Sequence, residues 1–324
     1  IIASGDADFI GMGRGLIADP NWCNKAQYGD VADIRKCISC NVGCVGNRIG
    51  GNKPIRCSIN PDLIYGEEYK RTKVQKECNV VVVGAGTAGL EAACTAAEVG
   101  CNVVLLEKEQ QVGGLSVQIS KIPAKTRLAD FPTYLKHRAE KLENLKIVTG
   151  VDATVETVKA YQPDLVVNAT GSVPMLPPIE GLHENLQKDD AKVYCIHDMI
   201  DHLNDYPEDL TGKKVAVIGG GAVGLDVVEF FAPRGAEVTI VEMMGAIGNG
   251  LDASSTSSMN ECMEKYHVRK MVNTALTKVN ADSFEVKYDG KEETLPFDYG
   301  FVCLGMKAYA PIWEEMQKAF TGED

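Results

Sequence analysis

The sequence predicts an α/β protein in which a cysteine-rich loop precedes two Rossmann-like domains, and three observations carry this prediction. A glycine-rich turn, Gly84-Ala-Gly86-Thr-Ala-Gly89, joins an apolar strand to an alanine-rich helix. The same strand, turn and helix recur 135 positions later without a gap. Four cysteines lie close together ahead of both copies. Unbroken apolar strands of this kind are typical of a parallel sheet that helices cover on both faces.

The first copy of the turn has each part that a dinucleotide-binding domain needs. Residues 80–83 predict a buried strand, residues 90–99 predict a helix, and Glu107 ends a second apolar strand. The first glycine makes the turn, the second lets the backbone approach a pyrophosphate, and the third lets helix and strand pack closely. The carboxylate can accept both hydroxyls of a ribose. The predicted ligands of this dinucleotide are Gly84, Gly86, Gly89 and Glu107.

The second copy predicts a second dinucleotide site with equal internal spacing. Its matching residues are Gly219, Gly221, Gly224 and Glu242. A later strand also repeats, because residues 298–305 match residues 164–171. Two complete copies indicate a duplication, with the second domain inserted in the first. The predicted boundaries are 1–36 for an N-terminal segment, 37–77 for the cysteine segment and a linker, 78–179 with 296–324 for the first dinucleotide domain, and 180–295 for the second.

The cysteines Cys37, Cys40, Cys44 and Cys57 follow the pattern C-x2-C-x3-C-x12-C. Four convergent thiolates are what a cubane iron–sulfur cluster or a tetrahedral zinc ion needs. A disulfide-rich loop or ordinary core cysteines are the alternatives that need no metal. The segments on either side of the loop favour the iron–sulfur cluster.

Length and charge limit the classes of function. A chain of 324 residues is long enough for about two domains. Its net charge of −12 argues against nucleic acid or an anionic membrane as partner. The seven other cysteines are scattered in apolar segments, as reduced thiols of a cytoplasmic protein are. The chain begins at Ile1 and not at Met, so we expect a piece of a longer protein. A homo-oligomer is a further possibility.

The first residues predict a phosphate-binding turn. Residues 7–13 read as a short buried strand, Arg14 follows, and residues 16–20 read as a helical turn. Backbone N–H groups and a guanidinium at such a turn can hold a phosphate. With the cysteines directly after it, this segment resembles the end of the flavin-binding TIM barrel in the Old Yellow Enzyme-like family. The resemblance is to the multidomain branch with 2,4-dienoyl-CoA reductase, enoate reductases, bile-acid-type enoate reductases and trimethylamine dehydrogenase.

This resemblance implies a set of cofactors. Gly13 and Arg14 would hold the phosphate of FMN, most of whose site lies in a barrel outside this sequence, and the four cysteines would hold a 4Fe-4S cluster. Similarity to two-dinucleotide flavoprotein reductases implies FAD in the first domain, near a second glycine pair that follows Glu107. The further FAD contacts that it implies are Gly114, Lys125, the backbone of Val151, and Gly171.

The second domain is then predicted to bind NADH. Glu242 stands where NADPH carries its 2′-phosphate, and a carboxylate repels that group. The six residues after Glu242 contain no Arg or Lys that would attract it. We therefore expect NADH to be preferred over NADPH.

The implied function is an iron–sulfur flavoprotein oxidoreductase that passes electrons from NADH through FAD and the cluster to FMN. The expected substrate is a small enoate, enoyl-CoA or enone, with an activated C=C bond. Its proton donor and other catalytic residues are expected outside this sequence. The alternatives are an electron-transfer subunit with FAD, NAD(P)H and a cluster, or a non-catalytic zinc-binding module.

Overall fold

A computed structural model describes residues 1–65, 71–186 and 188–321, so residues 66–70 of the predicted linker lie outside the described residues. The chain divides into two compact units. The first comprises Ile1–Gly171 and Tyr309–Asp324, and the second comprises Ser172–Ala308. Each unit is described by itself below.

The core of the first unit is a parallel sheet in the order β3-β2-β1-β4. Val80, Val82 and Leu105 are at most 1% exposed, and Leu90 of α4 and Leu135 of α6 pack on the same side. Because both faces are covered, the strands carry apolar residues without alternation. The elements of this part are β1 (Asn79–Val83), α4 (Thr87–Glu98), β2 (Asn102–Glu107), α5 (Gly114–Ile119), α6 (Asp130–Glu140), β3 (Leu145–Thr149), α7 (Val155–Ala160), β4 (Leu165–Asn168) and α12 (Trp313–Thr321), with a 3-10 helix at Pro123–Ala129.

The N-terminal segment of this unit has little regular structure. Its elements are α1 (Arg14–Ala18), α2 (Trp22–Tyr28), a 3-10 turn at Val31–Asp33, a π-helix at Val42–Gly50 and α3 (Asp62–Tyr65). Ala18 and Ile59 are buried in the same core as Leu90. The buried strand predicted at residues 7–13 is wrong, because these residues form no strand and Phe9 is 90% exposed. A strand needs a neighbouring strand to satisfy its backbone, and none pairs with this segment among the described residues.

The second unit contains a parallel sheet in the order β6-β13-β7-β8-β9, an antiparallel sheet β10-β11-β12, and the antiparallel pair β14-β5. Phe231, Phe284 and Phe301 are fully buried. The elements are β5 (Ser172–Pro174), α8 (Leu182–Leu186), β6 (Val193–Tyr194), α9 (Ile196–Asp201), β7 (Lys214–Ile218), α10 (Ala222–Phe231), β8 (Glu237–Val241), α11 (Ala253–Lys265), β9 (Arg269–Met271), β10 (Thr274–Val279), β11 (Ser283–Tyr288), β12 (Lys291–Pro296), β13 (Tyr299–Val302) and β14 (Met306–Ala308).

The predicted domain boundaries need a correction at both ends of the second unit. The sequence predicts residues 296–308 in the first domain, but β13 pairs in parallel with β7 of the second unit. Residues 172–179 also belong to the second unit. The repeated strand supplies the physical reason, because β13 occupies beside β7 the place that β4 occupies beside β1. The α/β class with two Rossmann-like sheets is confirmed.

The duplication extends to contacts at the start of the paired strands. Asp164 accepts a hydrogen bond from the amide of Asn79 at 2.8 Å, and Asp298 accepts one from the amide of Lys214 at 2.9 Å. Asp164 thus fixes the register between β1 and β4, and Asp298 fixes the register between β7 and β13. Among the described residues, no helix has the length and apolar character needed to cross a membrane.

Candidate functional site

The glycines of the first turn have two different roles. A Cβ added to Gly89 would lie 1.8 Å from the carbonyl oxygen of Gly84, so helix and turn meet only because Gly89 has no side chain. A Cβ added to Gly86 would meet no atom within 4 Å. The amide of Gly84 donates to Leu106 O at 2.8 Å, which anchors the turn to the second strand. The third glycine therefore serves packing, and the second faces open space that a ligand can occupy.

The carboxylate of Glu107 anchors the same turn. Its Oε2 accepts from the amide of Ala85 at 2.6 Å and its Oε1 accepts from the amide of Glu109 at 2.9 Å. Glu107 is 8% exposed. Because each carboxylate oxygen has two acceptor sites, Glu107 keeps capacity for the ribose hydroxyls that the sequence predicts. The structure thus adds a backbone-anchoring role to the predicted ligand role.

Further predicted FAD residues lie at the carboxyl end of the first sheet. The second glycine pair approaches Gly86 closely, since a Cβ on Gly114 would lie 3.0 Å from the Cα of Gly86. The amide of Val151 donates to Glu107 O at 2.9 Å. Gly171 follows β4, and its carbonyl accepts from Tyr309 N at 2.9 Å. The remaining predicted contact, Lys125, lies half-buried in the 3-10 helix Pro123–Ala129.

The second unit repeats this arrangement around Glu242. Its Oε2 accepts from the amide of Gly220 and its Oε1 from the amide of Met244, both at 2.7 Å. A Cβ added to Gly224 would lie 1.9 Å from Gly219 O. Gly221 is the equivalent of Gly86, and a Cβ added to Gly221 would meet no atom within 4 Å.

One equivalent residue escaped the sequence analysis. The amide of Gly113 donates to Ala85 O, and the amide of Gly248 donates to Gly220 O, each at 2.8 Å. Gly248 lies 135 positions after Gly113, which is the offset of the duplication. Extending the comparison beyond Glu107 and Glu242 would have found it. The loop after each acid is therefore tied to the glycine turn in the same way.

Two cations downstream of Glu242 have other partners. Arg269 forms a bidentate pair with Glu293, at 2.8 and 3.0 Å. The Nζ of Lys265 lies 5.0 Å from the ring centroid of Tyr266. Lys265 ends the helix that precedes β9, whereas Glu242 directly follows β8. The end of a helix that connects two parallel strands lies at the amino ends of the strands, whereas Glu242 lies at their carboxyl ends. Lys265 is therefore far from Glu242.

The four predicted cluster ligands line one narrow cleft, whose free space is about 20 Å³. The amide of Ser39 lies 3.4 Å from the Sγ of Cys37, and the Sγ of Cys40 lies 3.4 Å from the hydroxyl of Ser58. Within the described part of the chain, no group of three or more His, Cys, Asp or Glu side chains is arranged to hold a metal ion. Four cysteines at one cleft are the donor set of an iron–sulfur cluster.

The cleft is closed on one side by the returning chain. The amide of Arg56 donates to Gly43 O at 2.7 Å, and a Cβ on Gly43 would lie 2.7 Å from Arg56 O. Burial raises the pKa of the Cys57 thiol, while the backbone N–H groups of Ile59 and Asn60 act in the opposite direction. These N–H groups are the donors that stabilise a thiolate once a metal displaces its proton.

The predicted FMN residues lie next to the cysteine loop. Gly13 precedes α1, and the Nη1 of Arg14 donates to Asn41 Oδ1 at 2.5 Å. Both line a cleft of about 650 Å³, with Lys36, Cys37, Ser39, Arg127, Asp130 and others. The structure therefore brings Arg14 to the predicted cluster ligands, a contact that the sequence did not predict.

Comparisons with known proteins match this chain to oxidoreductases. The family model described as pyridine nucleotide-disulphide oxidoreductase matches residues 78–323. NADH oxidase of Thermoanaerobacter brockii is 36% identical, with 98% of this chain and 48% of the relative covered. Bilirubin reductase of Mediterraneibacter gnavus is 34% identical, with 95% and 46% covered. The solved structure of a 2-naphthoyl-CoA reductase complex superposes with a TM-score of 0.83 at 30% identity, covering 98% of this chain and 46% of that one.

These matches confirm the resemblance to the C-terminal part of a multidomain NADH:flavin oxidoreductase. The chain spans about half the length of the curated relatives that it matches. A flavoprotein with a nicotinamide-binding Rossmann fold is thereby supported, as the sequence predicts.

Proposed function

Because this chain belongs to the pyridine nucleotide-disulphide oxidoreductase family, we propose that it is the electron-input portion of an NADH-dependent flavin oxidoreductase. In this proposal FAD binds the first unit at Gly86 and Glu107, and NADH binds the second at Gly221 and Glu242. A 4Fe-4S cluster binds the four cysteines. The observation that carries the proposal is the carboxylate-to-turn contact, which occurs in the same form in both units.

The residues of the chain have defined tasks in this function. When bound, FAD would accept a hydride from NADH, and the cluster would pass the electrons on one at a time. FMN would supply them for reduction of an activated C=C bond. Gly86 and Gly221 leave room for a pyrophosphate at the start of a helix of ten residues or more, where backbone N–H groups attract phosphate. Glu107 and Glu242 hold the turns in shape and accept from ribose hydroxyls.

The cysteine loop lies in the same unit as the predicted FAD site, from which its cluster would receive electrons. Cys37, Ile38 and Cys57 pack against the core that contains Val80 and Leu90. The predicted ligands are thus part of the same compact unit as the predicted FAD site. Iron and acid-labile sulfide assays on anaerobically purified protein separate this proposal from a zinc-binding module, which would carry zinc and no sulfide.

The substrate is proposed from the relatives and from the N-terminal segment. The names of two relatives, bilirubin reductase and 2-naphthoyl-CoA reductase, describe reduction of unsaturated organic molecules. We propose that the whole protein reduces an enoate, enoyl-CoA or enone, with Gly13 and Arg14 at the FMN phosphate. A pure electron-transfer subunit is the second candidate. The Gly13-Arg14 turn beside the cysteine loop argues against it, because such a subunit would not need an FMN phosphate site. A cytoplasmic location and a homo-oligomer remain predictions.

The choice of nicotinamide tests the site in the second unit. We expect NADH to be preferred over NADPH by about tenfold or more in reduction of an artificial acceptor, roughly the 1.4 kcal/mol of one repulsive contact. Glu242→Arg should narrow or reverse this preference, because a guanidinium attracts the 2′-phosphate. Steady-state rates with each nicotinamide measure the effect.

The matched control is Glu107→Arg in the first unit. It should weaken retention of FAD and leave the ratio of NADH to NADPH rates unchanged. Equal or better rates with NADPH in the unmodified protein would contradict the assignment of Glu242.

A further inference from the structure

The two residues that flank Cys40 in the cysteine loop are each hydrogen-bonded to an arginine from another part of the first unit. Ser39 and Asn41, on either side of Cys40, have φ angles of 58° and 57°. Arg127 Nη1 donates to Ser39 Oγ at 3.2 Å, and Arg14 Nη1 donates to Asn41 Oδ1 at 2.5 Å. Residues other than glycine rarely adopt positive φ, and the conformation costs free energy. The two guanidinium contacts therefore hold a loop shape that the backbone alone disfavours.

Arg127 connects the first thiol to the 3-10 helix that also contains the predicted FAD contact Lys125. It lies in the 3-10 helix Pro123–Ala129, between the α5 helix that starts at Gly114 and α6. Its partner Ser39 lies 88 positions earlier in the chain. The amide of Ser39 donates to Cys37 Sγ, so the contacts run from Arg127 through Ser39 to a predicted cluster ligand.

Other ion pairs join the same two segments, but they lie ahead of the cysteines. Lys141 Nζ lies 2.5 Å from Asp33 Oδ1, and His137 Nε2 lies 3.1 Å from the same oxygen. Lys36 lies 4.0 Å from Asp130. These pairs fasten the chain leading to the loop onto α6. Arg127 differs from them because its guanidinium contacts Ser39, which lies between Cys37 and Cys40.

The charge of Arg127 has a consequence for the cluster. Four thiolates give a cluster net negative charge, and each added electron increases it. A nearby guanidinium stabilises the reduced form more than the oxidised form, which raises the reduction potential. The guanidinium lies 3.2 Å from the hydroxyl of Ser39, two positions after Cys37, and Arg127 and Cys37 line the same cleft.

We propose that Arg127 is a positioning residue that holds the cysteine loop and raises the reduction potential of the cluster. The inference rests on the proposed function. It assigns to Arg127 a role in electron relay that differs from cofactor binding, and Ser39 holds the guanidinium in place.

The test is a redox titration of the anaerobically prepared protein, with the cluster followed by its visible absorbance and electron paramagnetic resonance. Arg127→Met should lower the ratio of reduced to oxidised cluster about tenfold at a fixed ambient potential, which is ~59 mV for one electron. Arg127→Lys should keep most of the potential, and Ser39→Ala should give an intermediate shift. Lys136→Met, on α6, is the control for loss of one surface charge, and its potential should match the parent.

The outcomes separate the inference from the proposed function. An Arg127→Met protein with full iron content and a potential equal to the parent overturns the inference and leaves the proposed function standing. If the Arg127→Met protein loses its iron, the Ser39→Ala protein provides the test. An iron-loaded Ser39→Ala protein whose reduction potential equals that of the parent overturns the inference. A parent protein without iron and sulfide overturns both, whereas its NADH-dependent reduction of bound FAD reports on the nucleotide sites alone.

Discussion

Cys57→Ala is expected to remove the iron, the acid-labile sulfide and the brown colour of the protein. The four thiols face one cleft, and a cubane cluster needs a ligand on each of its four irons. Loss of Cys57 leaves the N–H groups of Ile59 and Asn60 without the sulfur that they face. NADH should still reduce FAD and an artificial acceptor such as ferricyanide, because Cys57 is not a predicted nucleotide ligand.

The matched control for this experiment is Cys23→Ala. Cys23 is an exposed free cysteine on α2, outside the cleft. Its replacement should leave iron and sulfide at parental amounts. Parental iron in Cys57→Ala would show that this residue is not a ligand, and loss of NADH-dependent acceptor reduction would show that the cysteine loop supports the nucleotide sites.

Gly89→Ala is expected to destabilise the first unit, by about 3 kcal/mol or more in the free energy of unfolding. The new Cβ would lie 1.8 Å from a backbone oxygen, and backbone atoms cannot move aside cheaply. Gly86→Ala, three positions earlier, should change stability by less than about 0.5 kcal/mol. Its Cβ meets open space, and its φ of −69° suits any residue. Denaturant unfolding of the two variants measures the difference.

The same pair distinguishes packing from ligand binding. Gly86→Ala should weaken FAD binding by at least about tenfold, because its methyl group occupies the approach of the pyrophosphate. Gly224→Ala and Gly221→Ala provide the equivalent pair in the second unit, with NADH as the ligand. Unchanged FAD affinity in a folded Gly86→Ala protein would contradict the proposed FAD site.

Most of the nucleotide sites could be predicted because their requirements are local. Gly89 and Gly224 admit no side chain, and the apolar strands on either side of them follow from burial on both faces. The predicted end of the second domain is wrong, because residues 298–305 repeat residues 164–171 and, like them, contain a strand that pairs within the sheet of their own unit. The strand at residues 7–13 was also wrong, because apolar character alone does not supply a pairing strand.

The fold class, the duplication and the four-cysteine pattern can be recognised in the sequence, since each rests on residue types at fixed spacing along the chain. The two backbone amides through which Glu107 and through which Glu242 anchor their turns become visible only in the folded chain. The folded chain also brings Arg127 to Ser39 and Arg14 to Asn41, the two residues that flank Cys40 in the sequence. Contacts between segments tens of residues apart leave no periodicity in the sequence, because they depend on how packed elements meet and not on the local preference of the chain.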